Sequence, residues 1–430
     1  MEEENTRSSA GPAYKDLNLK VTSREKRILR QLAAKVLELS GRSIEKEKKK
    51  LWTRHNDLKT TRPLIFIDPE NGWNEIITEN EIKCENALLK SWEMRLRKEI
   101  FWGEKLKDDK VIEPYFDINY IFEESHYGLR ERKIRVSEKG SFKYDPPVKD
   151  YEKDFEKLQY PELNIYEKKT KYVYELAEDI FGDILNVRIK GNWWWSLGMT
   201  WDYISLRGLD QLMMDFYDNP EWVHRMMNFL KDCIIKKIDF LEKNNYLAIN
   251  TGGTYVGSGG FGWTDDLPGE DFNPEKVRTR DMWGFAESQE TSSVSPEMFE
   301  EFIFPYQKEI LKRFGLNCYG CCEPLDNRWH IIKNIPRLRR VSVSPWADEK
   351  VMSDKLKQDY IYSLKPNPAP LAKPELNEKN IRKDIREKIK ITEDNIVEII
   401  MKDNHTIGGN PNNPIRWVEI VKEEIEKCEN

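Results

Sequence analysis

The chain has 430 residues, 39% hydrophobic and 34% charged, with 70 basic against 76 acidic side chains and a formal charge of −6. Its 14 Trp, 18 Tyr and 17 Phe are too many for an unfolded chain, and the balanced charge argues against a dedicated nucleic-acid binder. No window approaches the roughly 18 uninterrupted apolar residues of a membrane span, and the start MEEENTRSSAGPAYKD lacks the apolar core of an export signal, so a cytoplasmic protein is expected.

Residues 1–16 read as a disordered tail and residues 17–61 as a helical extension. In that extension Leu29, Leu32, Ala33, Val36 and Leu39 recur at helical steps between Thr22 and Lys50. The first strand is Arg62–Asp68. Residues 75–105 read as helical, and residues 108–165 as an irregular, charged insertion. From about residue 170 strands and helices alternate. A helix near Tyr172–Phe181 precedes a strand at Asn186–Lys190. Leu209–Tyr217 is helical, and Pro220, suited to a first helical position, starts a long helix to about Asn244. Strand Tyr246–Asn250 then enters a Gly-rich loop, and Met282–Phe285 is a poorer strand. Ser295-Pro296 caps a helix to about Phe314, followed by strand Leu316–Tyr319 and helix Leu325–Ile335. Three more strands, Arg340–Ser344, Tyr360–Leu364 and Ile396–Met401, alternate with helices near Lys350–Leu356, Asn380–Lys388 and Pro414–Lys427.

These eight strands with intervening helices predict a (β/α)8 TIM barrel over residues 62–430. A doubly wound open sheet is the alternative, and no GxGxxG follows an early strand to support a dinucleotide fold. A (β/α)8 barrel builds its active site at the C-terminal strand ends, where the unusual residues of this chain fall. They are Asn250 and Tyr255 after one strand, Cys321, Cys322 and Glu323 after the next, then Ser344-Pro345-Trp346, Lys365 with Asn367, and Lys402-Asp403-Asn404-His405.

Several of these residues have two readings. In a reducing compartment Cys321 and Cys322 are either inert packing or a metal or catalytic pair, while Cys318, inside its strand, is core. His405 is the histidine least easily explained by packing. His55, His126, His224 and His330 read as surface or interface residues, with His330 a weak second candidate. Trp263, Trp283 and Trp346 are pocket candidates. Trp193–Trp195, with Trp201, either line an aromatic pocket or pack on the barrel's periphery or a subunit interface. Lys365 and Asn367 either bind an anionic or hydroxylated substrate or belong to a solvated, proline-fixed turn. The Gly252–Gly262 loop has the glycines of a phosphate cradle but no following Gly-Lys-Ser/Thr.

The segments YGCCEPL (319–325), LRRVSVSPW (338–346), LKPNP (364–368) and IMKDNHT (400–406) carry a family resemblance, with weaker matches at 207–221, 255–260 and 294–306. On these, the chain resembles the uroporphyrinogen decarboxylase-like superfamily, in particular the methyltransferase components of corrinoid-dependent O-demethylases. The resemblance implies a (β/α)8 barrel and methyl transfer from a small methylated donor, an aromatic methyl ether by preference, to cob(I)alamin on a separate corrinoid protein. It also implies zinc at the barrel mouth. Asn317 and Tyr319 occupy the places of the family's His-x-Cys pair, so Cys321, Cys322, Glu323 and His405 become the candidate ligands. Soft thiolates with imidazole or carboxylate suit zinc. Glu323 and Asp403 are the candidate catalytic carboxylates, Asp403 by orienting His405. Asn250, Tyr255, Trp263, Trp283, Trp346, Lys365 and Asn367 are the candidate substrate contacts. No nucleic-acid or membrane partner is expected, and a homodimer stays open. The segment Trp52–Pro63 lacks the arginine-rich grip of true porphyrinogen decarboxylases, which leaves a lyase acting on a tetrapyrrole or other acid as the second reading. A non-catalytic barrel binding a corrinoid or tetrapyrrole is the third.

Overall fold

The computed structural model describes residues 6–8, 20–130, 132–135 and 142–429. A six-stranded parallel sheet and a two-stranded parallel pair form its centre. Their strands are β1 (Leu64–Ile67), β2 (Tyr115–Ile118), β3 (Asn186–Ile189), β4 (Trp283–Ala286), β5 (Leu316–Tyr319), β6 (Leu338–Val343), β7 (Ile361–Leu364) and β8 (Ile396–Met401). Six pair in one ladder in the order β1-β8-β7-β6-β5-β4, and β2 pairs with β3. This is the neighbour order of a (β/α)8 ring, but the backbone ladder is not closed among the described residues.

The two breaks have local causes. At the free edge of β1, the Asp109 and Asp108 carboxylates accept hydrogen bonds from Ile65 N (2.7 Å) and Ile67 N (3.0 Å). Side chains there satisfy donors that a neighbouring strand would otherwise take. Beside β4, the expected strand Tyr246–Asn250 is not a strand. The Asn250 side chain instead donates to Trp283 O and accepts from Trp283 N, both at 2.9 Å, replacing a ladder rung. The eighth strand is β2, inside the segment read as irregular. That segment also holds short antiparallel strands: Phe122–Ser125 between Thr6–Ser8 and Leu163–Ile165, and Arg132–Arg135 with Phe142–Asp145. Thr6–Ser8 is therefore ordered where a tail was expected, and the rest of that tail lies outside the described residues.

The N-terminal extension is two helices, not one: α1 (Ser23–Ser40) and α2 (Ser43–Asn56), divided at Gly41. Thr22 and Glu25 cap α1 reciprocally, at 3.2 and 3.1 Å. Its buried stripe of Leu29, Ala33, Val36 and Leu39 is the predicted one. Helix α2 leads into β1, and its C-terminal turns are held by hydrogen bonds to the neighbouring loops. There Trp52 Nε1 donates to Asp109 O (2.8 Å), and Asn56 Nδ2 donates to Phe261 O (2.8 Å) and Trp263 O (2.6 Å). The helix expected from Ser295 to Phe314 breaks at Ile303 into Pro296–Phe302 and Phe304–Leu311. Pro305, lacking an N–H, cannot continue the first helix's bonding. No helix among the described residues is long and apolar enough to cross a membrane.

Candidate active site at the strand ends

The interior holds a buried ionic layer between α2 and the sheet that sequence reasoning missed. Glu398, on β8, is fully buried, with His55 Nε2 3.1 Å away, Arg340 Nε 3.0 Å away and the Ser363 hydroxyl donating to it. Burial would raise the Glu398 carboxyl, but Arg340, His55 and Lys365 outweigh it and hold it down to about 2. His55, expected at the surface or an interface, is fully buried. Burial lowers its imidazole below the ordinary value, with Glu398 opposing. Arg340 also donates to Asn56 Oδ1 at 2.6 Å, tying α2 to β6.

Next to this layer the Gly-rich loop packs against the sheet. The Tyr255 ring lies 5.3 Å from that of Phe66 on β1, and its hydroxyl donates to Asp68 at 2.7 Å. Ser258 donates to Ser342 on β6 at 3.2 Å. Gly259 has a φ of +120°, and a Cβ there would stand 2.8 Å from Ile400 Cγ2. At Gly260 a Cβ would stand 2.7 Å from Arg340 Cζ. These glycines serve close packing of backbone against side chains.

At the end of β5 the chain reverses at Gly320, whose φ of +92° disfavours a side chain. The turn presents Cys321 and Cys322, both half-buried, with their sulfurs 3.7 Å apart. The Cys322 thiol donates to Asp403 Oδ2 at 3.8 Å, joining the ends of β5 and β8. A hydrogen bond from Cys321 holds the Cys322 thiol below the ordinary cysteine range, against burial and the charges of Asp403 and Glu323. The same bond, together with burial, pushes Cys321 up. Lys365, at the end of β7, has its ammonium pushed down to about 8 by burial, with Glu398 opposing and Lys402 assisting. Its field reaches Cys321, and its Nζ donates to Ser363 at 2.9 Å.

The other predicted residues separate by position. Glu323 is buried and accepts from Ser288 N (2.8 Å) and Cys321 N (2.9 Å), so its carboxylate braces the turn. Burial raises it, with those two amides opposing. His405 is exposed. Among the described residues no three His, Cys, Asp or Glu side chains converge in an arrangement that could hold a metal ion. The predicted zinc set Cys321, Cys322, Glu323 and His405 therefore does not fit a bound ion as arranged. Asn317 and Tyr319, at the family's ligand places, are buried. Asn317 Nδ2 donates to Pro336 O (2.6 Å) and the Tyr319 hydroxyl to Gln307 Oε1 (2.7 Å).

Trp263 and Trp283 lie in the packed interior instead of on a pocket wall, and Trp283 Nε1 donates to Gly262 O at 3.0 Å. Asn250 is spent on Trp283. Asn367 is exposed and accepts from Ala369 N, forming a turn. Trp346 is 72% exposed after β6.

A cavity of about 880 Å³ opens beside this site. It is lined by Trp193–Trp195 and Trp201, and by Glu287 just after β4. Trp193 is mostly scaffold, stacked 5.3 Å from Tyr120 with Nε1 donating to Tyr246 O. Burial and the neighbouring carboxylates of Glu290 and Glu323 push the Glu287 carboxyl up to about 8.

No family model matches the chain, and no curated protein matches it. Among solved structures it is similar to a methyltransferase from Methanosarcina mazei, at 9% identity and a TM-score of 0.48, over 89% of this chain and 99% of that one.

Proposed function

We propose that the chain is a methyltransferase that moves a methyl group from a small methylated donor, an aromatic methyl ether by preference, to cob(I)alamin on a separate corrinoid protein. One observation carries this reading. Two thiols, a carboxylate and a depressed lysine stand at the adjoining ends of β5, β7 and β8, within segments that resemble the corrinoid-dependent methyltransferases. The acceptor supplies the nucleophile that takes the methyl carbon, so the barrel needs only to orient the donor and accommodate the departing oxygen. Lys365, its ammonium at about 8, is suited to donate a proton to that oxygen near neutral pH. Cys322 and Asp403 are suited to position the donor's polar end.

Zinc belongs to the proposal as the ion the thiol pair would take, since two adjacent thiols are its preferred donors. The ion requires His405 or another donor to turn inward, and no step is derived through it.

The lyase reading draws less support. A decarboxylase would use free cations to grip acid groups; Arg340 is paired with Glu398 and Lys402 with Glu70 at 3.3 Å, which leaves Lys365 for that role. The test is a screen of the protein with free cob(I)alamin against methoxylated aromatics, other methyl ethers and carboxylic acids. Growth of the methylcobalamin spectrum with a methyl ether is expected. Carbon dioxide release without cobalt methylation would favour the lyase.

A further inference from the structure

We propose that the tryptophan-lined cavity beside the thiol site is a binding site for a small organic ammonium ion with an apolar body. The inference stands on the cavity itself, independently of the methyl-transfer reading.

Its size comes first. About 880 Å³ is the volume of a small-molecule site, larger than packing defects and smaller than protein-docking grooves. Its walls come next. Trp195 is 53% exposed and Trp201 46%, an unusual state for such large apolar groups, and both face this space together with Trp194. Indole faces attract cations through their quadrupole, best among the aromatic rings. The cavity already shows this chemistry, since Lys236 Nζ stands 3.1 Å from the Tyr160 ring centroid on its wall.

Charge then decides the sign of the ligand. Five carboxylates line the cavity (Glu124, Glu162, Asp202, Glu287 and Glu290) against two lysines. Lys237 is neutralised by Glu124 at 2.8 Å. Lys236 stands over the Tyr160 ring and keeps its positive charge there. Glu287 and Glu290 have only neutral partners among the described residues: Ser196 (3.0 Å) and Gln289 N (2.9 Å) for the first, Thr200 (2.6 Å) and Gln289 Nε2 (3.2 Å) for the second. Glu287, pushed up to about 8, holds its proton at neutral pH, so the charge of the pair rests on Glu290. An anionic ligand would meet the Glu290 carboxylate directly, and a neutral one would leave it uncompensated. A soft cation answers both the aromatic walls and the carboxylates.

The cavity is also joined to the thiol turn. Glu287 lines it, the next residue's amide, Ser288 N, donates to Glu323, and Glu323 accepts from Cys321 N. An occupant is therefore felt at the turn that carries the cysteines.

The test is calorimetric titration, with tryptophan fluorescence in parallel. The probes are phenyltrimethylammonium, its neutral carbon isostere tert-butylbenzene, and benzoate. Saturable binding of the cation is expected, about tenfold or more tighter than the neutral isostere, with no benzoate binding. Glu290→Gln keeps the shape and removes one charge, and should weaken the cation about fivefold or more while leaving the isostere unchanged. Trp195→Ala, at an exposed position, should weaken both. Equal affinity for cation and isostere, an unchanged Glu290→Gln, or no saturable binding of the cation would each overturn the proposal.

Discussion

The Cys322 sulfur lies 3.8 Å from Asp403 Oδ2, although 81 positions separate the two residues. β6 and β7 lie between β5 and β8 in the same parallel sheet, so the contact requires the turns that follow the two strands to reach toward each other across the sheet's C-terminal edge. Cys322 is thereby placed between a thiol that donates to it and a carboxylate that accepts from it.

Cys322→Ala should reduce methyl transfer to background while leaving the thermal transition within about 1 kcal/mol of wild type, because the side chain is only half-buried. Cys321→Ala tests the pair separately, and should raise the Cys322 thiol by removing the bond it receives. Alkylation rate against pH reads that shift. If a further donor turns inward to the thiol pair, metal analysis after zinc reconstitution should find zinc in the wild type and none in Cys322→Ala. Full methyl transfer by zinc-free protein would remove the ion and retain the thiols.

Glu287 gives a pH prediction. Its folded carboxyl, at about 8, lies above the unfolded value of 4.5, so the folded state holds the proton more tightly. Between those values the native state binds more protons than the unfolded one, and stability falls as pH rises. Glu287→Gln removes the penalty. Its melting temperature should exceed wild type by ~2 °C or more at about pH 9 and match it at about pH 4. Equal differences at both values would show that Glu287 does not titrate as its surroundings dictate.

Glu398 behaves in the opposite sense. Its folded value of about 2 lies below the unfolded 4.5, so its stabilisation is complete above about 4.5 and is lost as pH falls toward 2. Glu398→Gln leaves Arg340 buried without its counter-charge and should cost about 3–5 kcal/mol at neutral pH, measured by denaturant unfolding. The acid limb of its stability curve should also be shallower than that of the wild type.

The Gly-rich loop predicts a steric effect. Gly259→Ala places a Cβ 2.8 Å from Ile400 Cγ2 at a φ of +120°, where L side chains are strained. A loss of about 2–4 kcal/mol is expected, with fluorescence of the adjoining aromatic cluster altered. By contrast Gly252→Ala, which meets nothing within 4 Å, should be close to neutral.

Seven of the eight strands were legible as short apolar runs between helices, and the α1 stripe from its helical spacing. The exception, β2, alternates exposed and buried residues inside a charged stretch, so its signal resembles the short antiparallel strands around it. Tyr246–Asn250 carries strand-like residues, but an Asn side chain takes the hydrogen bonds a ladder would have used. The strand-end position of Cys321, Cys322, Lys365 and Asp403 was readable because a parallel α/β chain exposes the residues after each strand. The inward braces were not. Glu323 and His405 look alike as candidate ligands in sequence, yet one is locked onto two amides and the other faces solvent.

The sequence by itself determined most of the order of strands and helices, the helical character of the N-terminal extension and the residues that stand after those strands, because these depend on local periodicity and turn chemistry. Only the tertiary structure decided which of them meet. His55 reaches Glu398 across 343 positions, and Gly259 packs on Ile400. The Trp run lines a cavity bearing five carboxylates. Each of these follows from how the sheet curves and which way side chains point within it, and neither is written in the spacing of any single segment.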